Sequence, residues 1–100
     1  MGKVRVKIPP FLASLLNTRG SDWLVIERGI AEGTTIVDLL TDLASSYNNF
    51  RRVVFNPDVG RVSDQVIVIL NDEVLQPQEL AKARLNDGDS IVLLPVYSGG

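Results

Sequence analysis

The stretch Glu32–Tyr47, EGTTIVDLLTDLASSY, decides the fold. Ile36, Leu39, Leu40, Leu43 and Ala44 recur at i, i+3, i+4, i+7 and i+8, one stripe of an amphipathic helix. Thr35 stands three residues before Asp38, so its hydroxyl can accept an orphan N–H of the first turn. Asp38 also puts negative charge where the helix dipole favours it. Asn48–Asn49 close the pattern. Such a helix buries only its stripe, and the rest of the chain has to supply the apolar layer that covers it.

That layer is written on both sides of the helix. Val4, Val6 and Ile8 alternate with Arg5 and Lys7, the period of a half-buried strand. Pro9–Pro10 end its ladder, because neither can donate a backbone N–H. From Phe11 to Asp22 a loop is expected, containing the turn NTRGSD, and a strand resumes over roughly Leu24 to Arg28. Two neighbouring strands joined in this way form an antiparallel hairpin. Beyond the helix, Phe50, Val53 and Val54 share one side of a short helix, and NPDVGR has turn chemistry. Val66 to Leu70 reads as a strand, Asn71–Asp72 as a turn and EVLQP as a short partner strand. One helical turn is expected within Glu79–Leu85. NDGD makes a tight turn in which Gly88 can take a positive φ. Ser90 to Leu94 is apolar without alternation, the mark of a strand covered on both faces or lying at a sheet centre. The expected class is α+β: a mixed sheet of about five strands with one main helix packed across it and the final strand central, beside the first.

Composition narrows the function. One hundred residues, 45% hydrophobic and 22% charged, make one domain with one core. Ten basic and twelve acidic residues leave a net charge of −2, too small and too mixed to predict a nucleic-acid or membrane partner. No apolar run approaches the roughly 20 residues that span a bilayer, and MGKVRVKIPP alternates where a signal peptide would be continuously apolar. A cytoplasmic location is expected. The chain has no cysteine and no histidine. That removes thiolate nucleophiles, iron–sulfur and thiolate metal sites, the commonest general base and the commonest metal ligand. We therefore expect no independent enzyme, no metal site and no bound cofactor. Asp87 and Asp89 flank Gly88 as turn formers, and Arg51, Arg52 and Arg61 read as solvated surface. Phe11 and Trp23 are left open between core and partner-facing roles. Lys3, Lys7 and Lys82 are the acceptors available to a conjugating system, with nothing to single one out.

One feature is left over: IVLLPVYSGG, Ile91–Gly100, in which a core strand runs through Pro95 into two glycines. At an average glycine frequency of about 7%, such a pair falls at two given positions by chance roughly once in 200. A frayed end or an appended scar is the bland explanation. The context favours function. We expect a β-grasp globular domain over residues 1–94 and a flexible C-terminal Gly-Gly tail over residues 95–100. Five residues beyond Pro95 reach about 17 Å when extended, enough to enter a partner's active site. Glycine has no Cβ, so the backbone fits a narrow channel and the last carbonyl is unhindered. The reactive group is then the α-carboxylate of Gly100, and Pro95, Val96, Tyr97, Ser98 and Gly99 are the expected gripping contacts.

LNDGDSIVLLPVYSGG resembles the C-terminus of the molybdopterin-synthase small-subunit (MoaD-like) family, with its Leu, Gly-Asp turn, apolar strand, proline and Gly-Gly tail. EGTTIVDLLTDLA and VIVILNDEVL are similar to the family's helix start and strand–turn–strand segment, so the likeness covers approximately Val4 to Gly100. The sulfur carriers of thiamine synthesis, the ubiquitin-related modifiers and the archaeal small modifiers share this tail. Tyr97-Ser98 after a single proline departs from many pterin-pathway members. The resemblance implies a ubiquitin-like β-grasp fold and a carrier or non-catalytic subunit of a sulfur-transfer complex. It implies partners as well: an ATP-dependent E1-like activating enzyme that consumes ATP to adenylate Gly100, and a sulfur donor such as a cysteine desulfurase system. The acceptor would be the molybdopterin-synthase large subunit or another sulfur acceptor. Two other readings stand beside it, a ubiquitin-like modifier joined to lysines through its last glycine and a binding-only module with an incidental Gly-Gly end.

Overall fold

A computed structural model describes residues 2–15, 22–47, 49–58, 60–63 and 66–95. β1 (Gly2–Ile8) and β2 (Leu24–Ile30) form the antiparallel hairpin, in register from Gly2 opposite Ile30 to Ile8 opposite Leu24. The final strand β7 (Ser90–Pro95) lies parallel to β1, with Val6 opposite Ile91, and antiparallel to β5 (Val66–Leu70), with Val68 opposite Leu93. A short edge strand, β6 (Glu73–Leu75), completes the five-stranded order β2-β1-β7-β5-β6. This is the ubiquitin-like β-grasp arrangement, with the last strand central beside the first.

The main helix, α2 (Ile36–Ser46), buries Ile36, Leu39, Leu40, Leu43 and Ala44, the stripe its sequence prescribes. Its capping box is present: Asp38 N–H donates to the Thr35 hydroxyl oxygen at 3.1 Å and Thr35 N–H to the Asp38 carboxylate at 3.1 Å. The stripe joins Val4, Val6, Ile8, Ile26, Val68, Ile91 and Leu93 in one core. A one-turn helix, α3 (Phe50–Val53), follows and buries Phe50, with Val54 and Phe55 buried just after it.

One detail differs from the sequence reading, and two are refined. The stretch after Pro9 begins with a helix, α1 (Pro10–Leu15), where a loop is expected. Proline at the first helical position is preorganised for that turn, and Leu12 and Ala13 enter the core. The helical turn expected within Glu79–Leu85 is present, with Ala83 N–H donating to the Glu79 carbonyl at 2.8 Å, and a 3₁₀ turn over Pro77–Glu79, again started by a proline, leads into it. NPDVGR is the turn of a small hairpin, β3 (Phe55–Asn56) with β4 (Arg61–Val62). There Asp58 N–H donates to the Asn56 side-chain oxygen at 2.9 Å and Gly60 adopts φ +67°.

The two acidic turns fix the sheet at the end where β7 begins. Asp87 accepts from Lys3 N–H at 2.9 Å, and a Cβ on Gly2 would come within 2.9 Å of the Asp87 backbone, so β1 needs glycine there. Asp89 accepts from Asn86 N–H at 2.7 Å and from the Asn71 side-chain amide at 2.9 Å, while the Asn71 oxygen accepts from Ser90 N–H at 3.0 Å. Asn71 does this at φ +48°, a left-handed conformation that asparagine tolerates. Replacing Asn71 with Ala forfeits both side-chain bonds and keeps the unfavourable φ. A loss of about 2 kcal/mol is expected in a urea titration.

Candidate functional site: the root of the tail and the open sheet face

Of the residues expected to act at the C-terminus, the structure places Pro95. It is the last residue of β7, half-buried and opposite Val66, so the strand runs one residue past the expected Leu94. Val96, Tyr97, Ser98, Gly99 and Gly100 lie outside the described residues. The tail is thus rooted in the central strand, held through β1 and β5 to every other strand of the sheet.

The strand register shows what surrounds that root. Helix α2 covers one face of the sheet, and the alternation of strand side chains sends the others outward. One outward row crosses all five strands: Val25, Lys7, Val92, Ile69 and Val74, each opposite the next. At about 4.8 Å between strands the row is roughly 19 Å wide. Leu94 and Ile67 form a second outward pair one step nearer the tail. Val25 and Val74 are 51% and 58% exposed, and Trp23, just ahead of β2, is 49% exposed. Towards the far end the same face turns charged, with Lys3, Arg5, Glu27, Asp87 and Asp89. Arg5 and Glu27 pair there at 3.3 Å. The open face is therefore apolar next to the tail and polar away from it, with Lys7 the one cation set into the apolar row.

Exposed apolar residues gathered on one face mark a contact surface rather than a core. The sequence reading did not name this patch. Its signal was the unbroken apolar run of β5 and β7, in which Ile67, Ile69, Val92 and Leu94 have no business being apolar unless something covers them. Trp23 resolves toward the surface, while the side chain of Phe11 lies outside the described residues.

The chemistry available on the domain itself is sparse. Among the described residues no polar or charged side chain is buried, and no group of three or more acidic side chains is placed to hold a metal. Arg51 pairs with Asp58 at 2.9 Å on the surface, a contact of the weak exposed kind. No helix among the described residues is long and apolar enough to cross a membrane.

Comparison with known proteins places this architecture. The ThiS family model matches residues 16–100. The crystal structure of SAMP1 from Haloferax volcanii is 25% identical, with 99% of this chain and 100% of that one covered and a TM-score of 0.74. A Pyrococcus furiosus candidate for subunit 1 of molybdopterin converting factor is 21% identical, covering 97% and 100%, with a TM-score of 0.67. A chain of the Amycolatopsis orientalis BexX/CysO complex is 24% identical, covering 97% and 99%, with a TM-score of 0.65. No curated protein matches the chain.

Proposed function

The chain belongs to the ThiS family, and on that footing we propose that it is a sulfur carrier acting through the carboxylate of Gly100, with molybdopterin synthesis as its destination. The observation that carries this reading is the reach of the family match, which runs through Gly99–Gly100 and so includes the one group with carrier chemistry. An E1-like enzyme uses ATP to activate it: a Gly100 carboxylate oxygen attacks the α-phosphorus, and pyrophosphate leaves. The acyl-adenylate is needed because a carboxylate is a poor electrophile and AMP a good leaving group. A sulfide equivalent then attacks the carbonyl and expels AMP, leaving a thiocarboxylate whose sulfur passes to the acceptor. Cysteine desulfurase chemistry is the proposed source: its persulfide attacks through the terminal sulfur to give an acyl disulfide, and a thiol reductant cleaves the S–S bond to release the thiocarboxylate, with the molybdopterin-synthase large subunit the proposed acceptor.

In this division of labour the carrier presents its terminus and leaves the catalysis to its partners. Likeness to the Pyrococcus furiosus protein supports the destination. The Amycolatopsis orientalis complex supports docking to a separate partner chain, for which the apolar face beside the tail is the proposed surface. SAMP1, a small archaeal modifier protein, favours a second reading in which the same activated glycine is passed to a lysine.

Intact-mass spectrometry on protein from its own cells, untagged at the C-terminus, tests the proposal. A population with one oxygen of Gly100 replaced by sulfur is expected. If the mass stays that of the carboxylate with activating enzyme, ATP and a sulfur donor all supplied, sulfur transfer is wrong. Lysine conjugates under the same conditions would then establish the modifier.

A further inference from the structure

The strand register sets Lys7 between two valines on the open sheet face. In β1, Arg5 N–H donates to the Asp89 carbonyl at 3.1 Å, and the Lys3 carbonyl accepts from Gly88 N–H at 2.9 Å. The odd-numbered residues of β1 thus direct their backbone groups towards β7. Lys7 opposite Val25 is therefore a pair without hydrogen bonds between its members, the kind in which side chains come closest. Val92 flanks Lys7 on the other side, across the parallel pairing. The four-carbon stem lies along these apolar neighbours while the ammonium reaches past them into solvent, and Lys7 is exposed.

The carboxylates that share this face are engaged elsewhere. Glu27 pairs with Arg5 at 3.3 Å, and Asp87 accepts from Lys3 N–H at 2.9 Å. Asp89 accepts from Asn86 N–H at 2.7 Å and from the Asn71 amide at 2.9 Å. Lys7 forms no ion pair among the described residues. The rest of its row, Val25, Val92, Ile69 and Val74, is apolar. A standard protein interface takes about 800 Å² from each partner, a patch about 28 Å across. A partner seated on a row roughly 19 Å wide covers it whole and encloses Lys7. The enclosed ammonium loses its water, and that loss is uncompensated unless a well-placed carboxylate meets it.

We propose that Lys7 is the specificity residue of the docking face, and that the activating partner covers the row with an apolar surface carrying one carboxylate, which pairs with the Lys7 ammonium. The valines and isoleucine supply contact area with little choice of partner. The cation supplies the choice, because an apolar surface without a carboxylate would leave it enclosed and unpaired. The inference rests on the reading of this face as the docking surface of a carrier. Lys7 serves recognition and takes no part in the chemistry at Gly100, so its loss raises KM and leaves kcat.

The test measures binding of the full chain to its cognate activating enzyme by calorimetry, with the kcat and KM of adenylation, for Lys7→Met, Lys7→Glu and Lys7→Arg. Lys82→Met, an exposed lysine outside the sheet, is the control. Lys7→Met keeps the stem and deletes the charge. Its dissociation constant is expected to rise about thirtyfold or more, the effect of leaving one member of an enclosed charge pair alone. Lys7→Glu should lose more, and Lys7→Arg should stay within about threefold. KM should follow the dissociation constant while kcat holds. A complex unchanged or tightened by Lys7→Met overturns the proposal. So does a loss in Lys7→Arg equal to that in Lys7→Met, since stem shape would then be the cause. Val74→Glu, in the same row and 58% exposed, reads the docking surface separately. If it and Lys7→Met both bind like the natural chain, the docking reading falls and the role of Lys7 with it. If only Val74→Glu weakens the complex, the face docks and the role of Lys7 alone is wrong. Urea midpoints check the fold of each variant, and should Lys7→Glu fail to fold, Lys7→Met decides.

Discussion

Removing Gly99 and Gly100 is expected to abolish adenylation and thiocarboxylate formation while leaving the unfolding midpoint where it was. The loss should be total because the reacting atom is the last carboxylate itself. Truncation leaves Ser98 as the new terminus, short of its site by two residues, or about 7 Å. A misplacement of only about 1 Å in a reacting group can cost roughly a hundredfold in rate, so no measurable turnover is expected from a deficit that large. The stability effect should stay within about 0.5 kcal/mol, the usual range for surface changes remote from packing and hydrogen bonding. The described core ends with Leu93, and Gly99–Gly100 contribute no side chain to any core. Activation kinetics and a urea titration on the same preparation separate the two effects. A truncated protein that still carries out its cellular role would leave the binding-only module as the surviving explanation.

What the sequence displayed and what it concealed follow from the range of the interactions involved. The stripe of α2 and the alternation of β1 are repeated local signals, each carrying the same information several times over. Asp87, Gly88 and Asp89 were legible as a turn because each residue type has a specific conformational use there. Six-residue α1 was not legible, since PFLASL spans under two turns and shows no periodicity. The contact face was hidden for a different reason. Val92 and Ile69 look like core residues in a strand apolar at every position, and only the register reveals that they share a row with Lys7. Which side of a central strand stays uncovered is a tertiary fact.

Replacing Phe50 with Ala should produce the opposite pattern, a large loss of stability with the chemistry of the remaining folded protein intact. Phe50 is fully buried in α3, between the end of α2 and the small hairpin. Its N–H donates to the Tyr47 carbonyl at 3.0 Å and its carbonyl accepts from Val54 N–H at 2.9 Å, so the backbone around it is held and cannot collapse into the space left behind. With Val54 and Phe55 also buried, the ring is part of the wall that closes the core beyond α2. Phe→Ala at such a site costs about 3–5 kcal/mol, the lost transfer energy plus the cavity. A domain of this size has roughly 5–15 kcal/mol in all, so the urea midpoint should fall by about a fifth or more. The slope of the transition should change little, because nearly the same surface is exposed on unfolding. Adenylation per folded molecule should match the natural sequence, since α3 lies outside the five-stranded sheet that roots the tail. If activation instead fell while the protein was still folded, the short helix would have to be part of the surface that the activating partner reads.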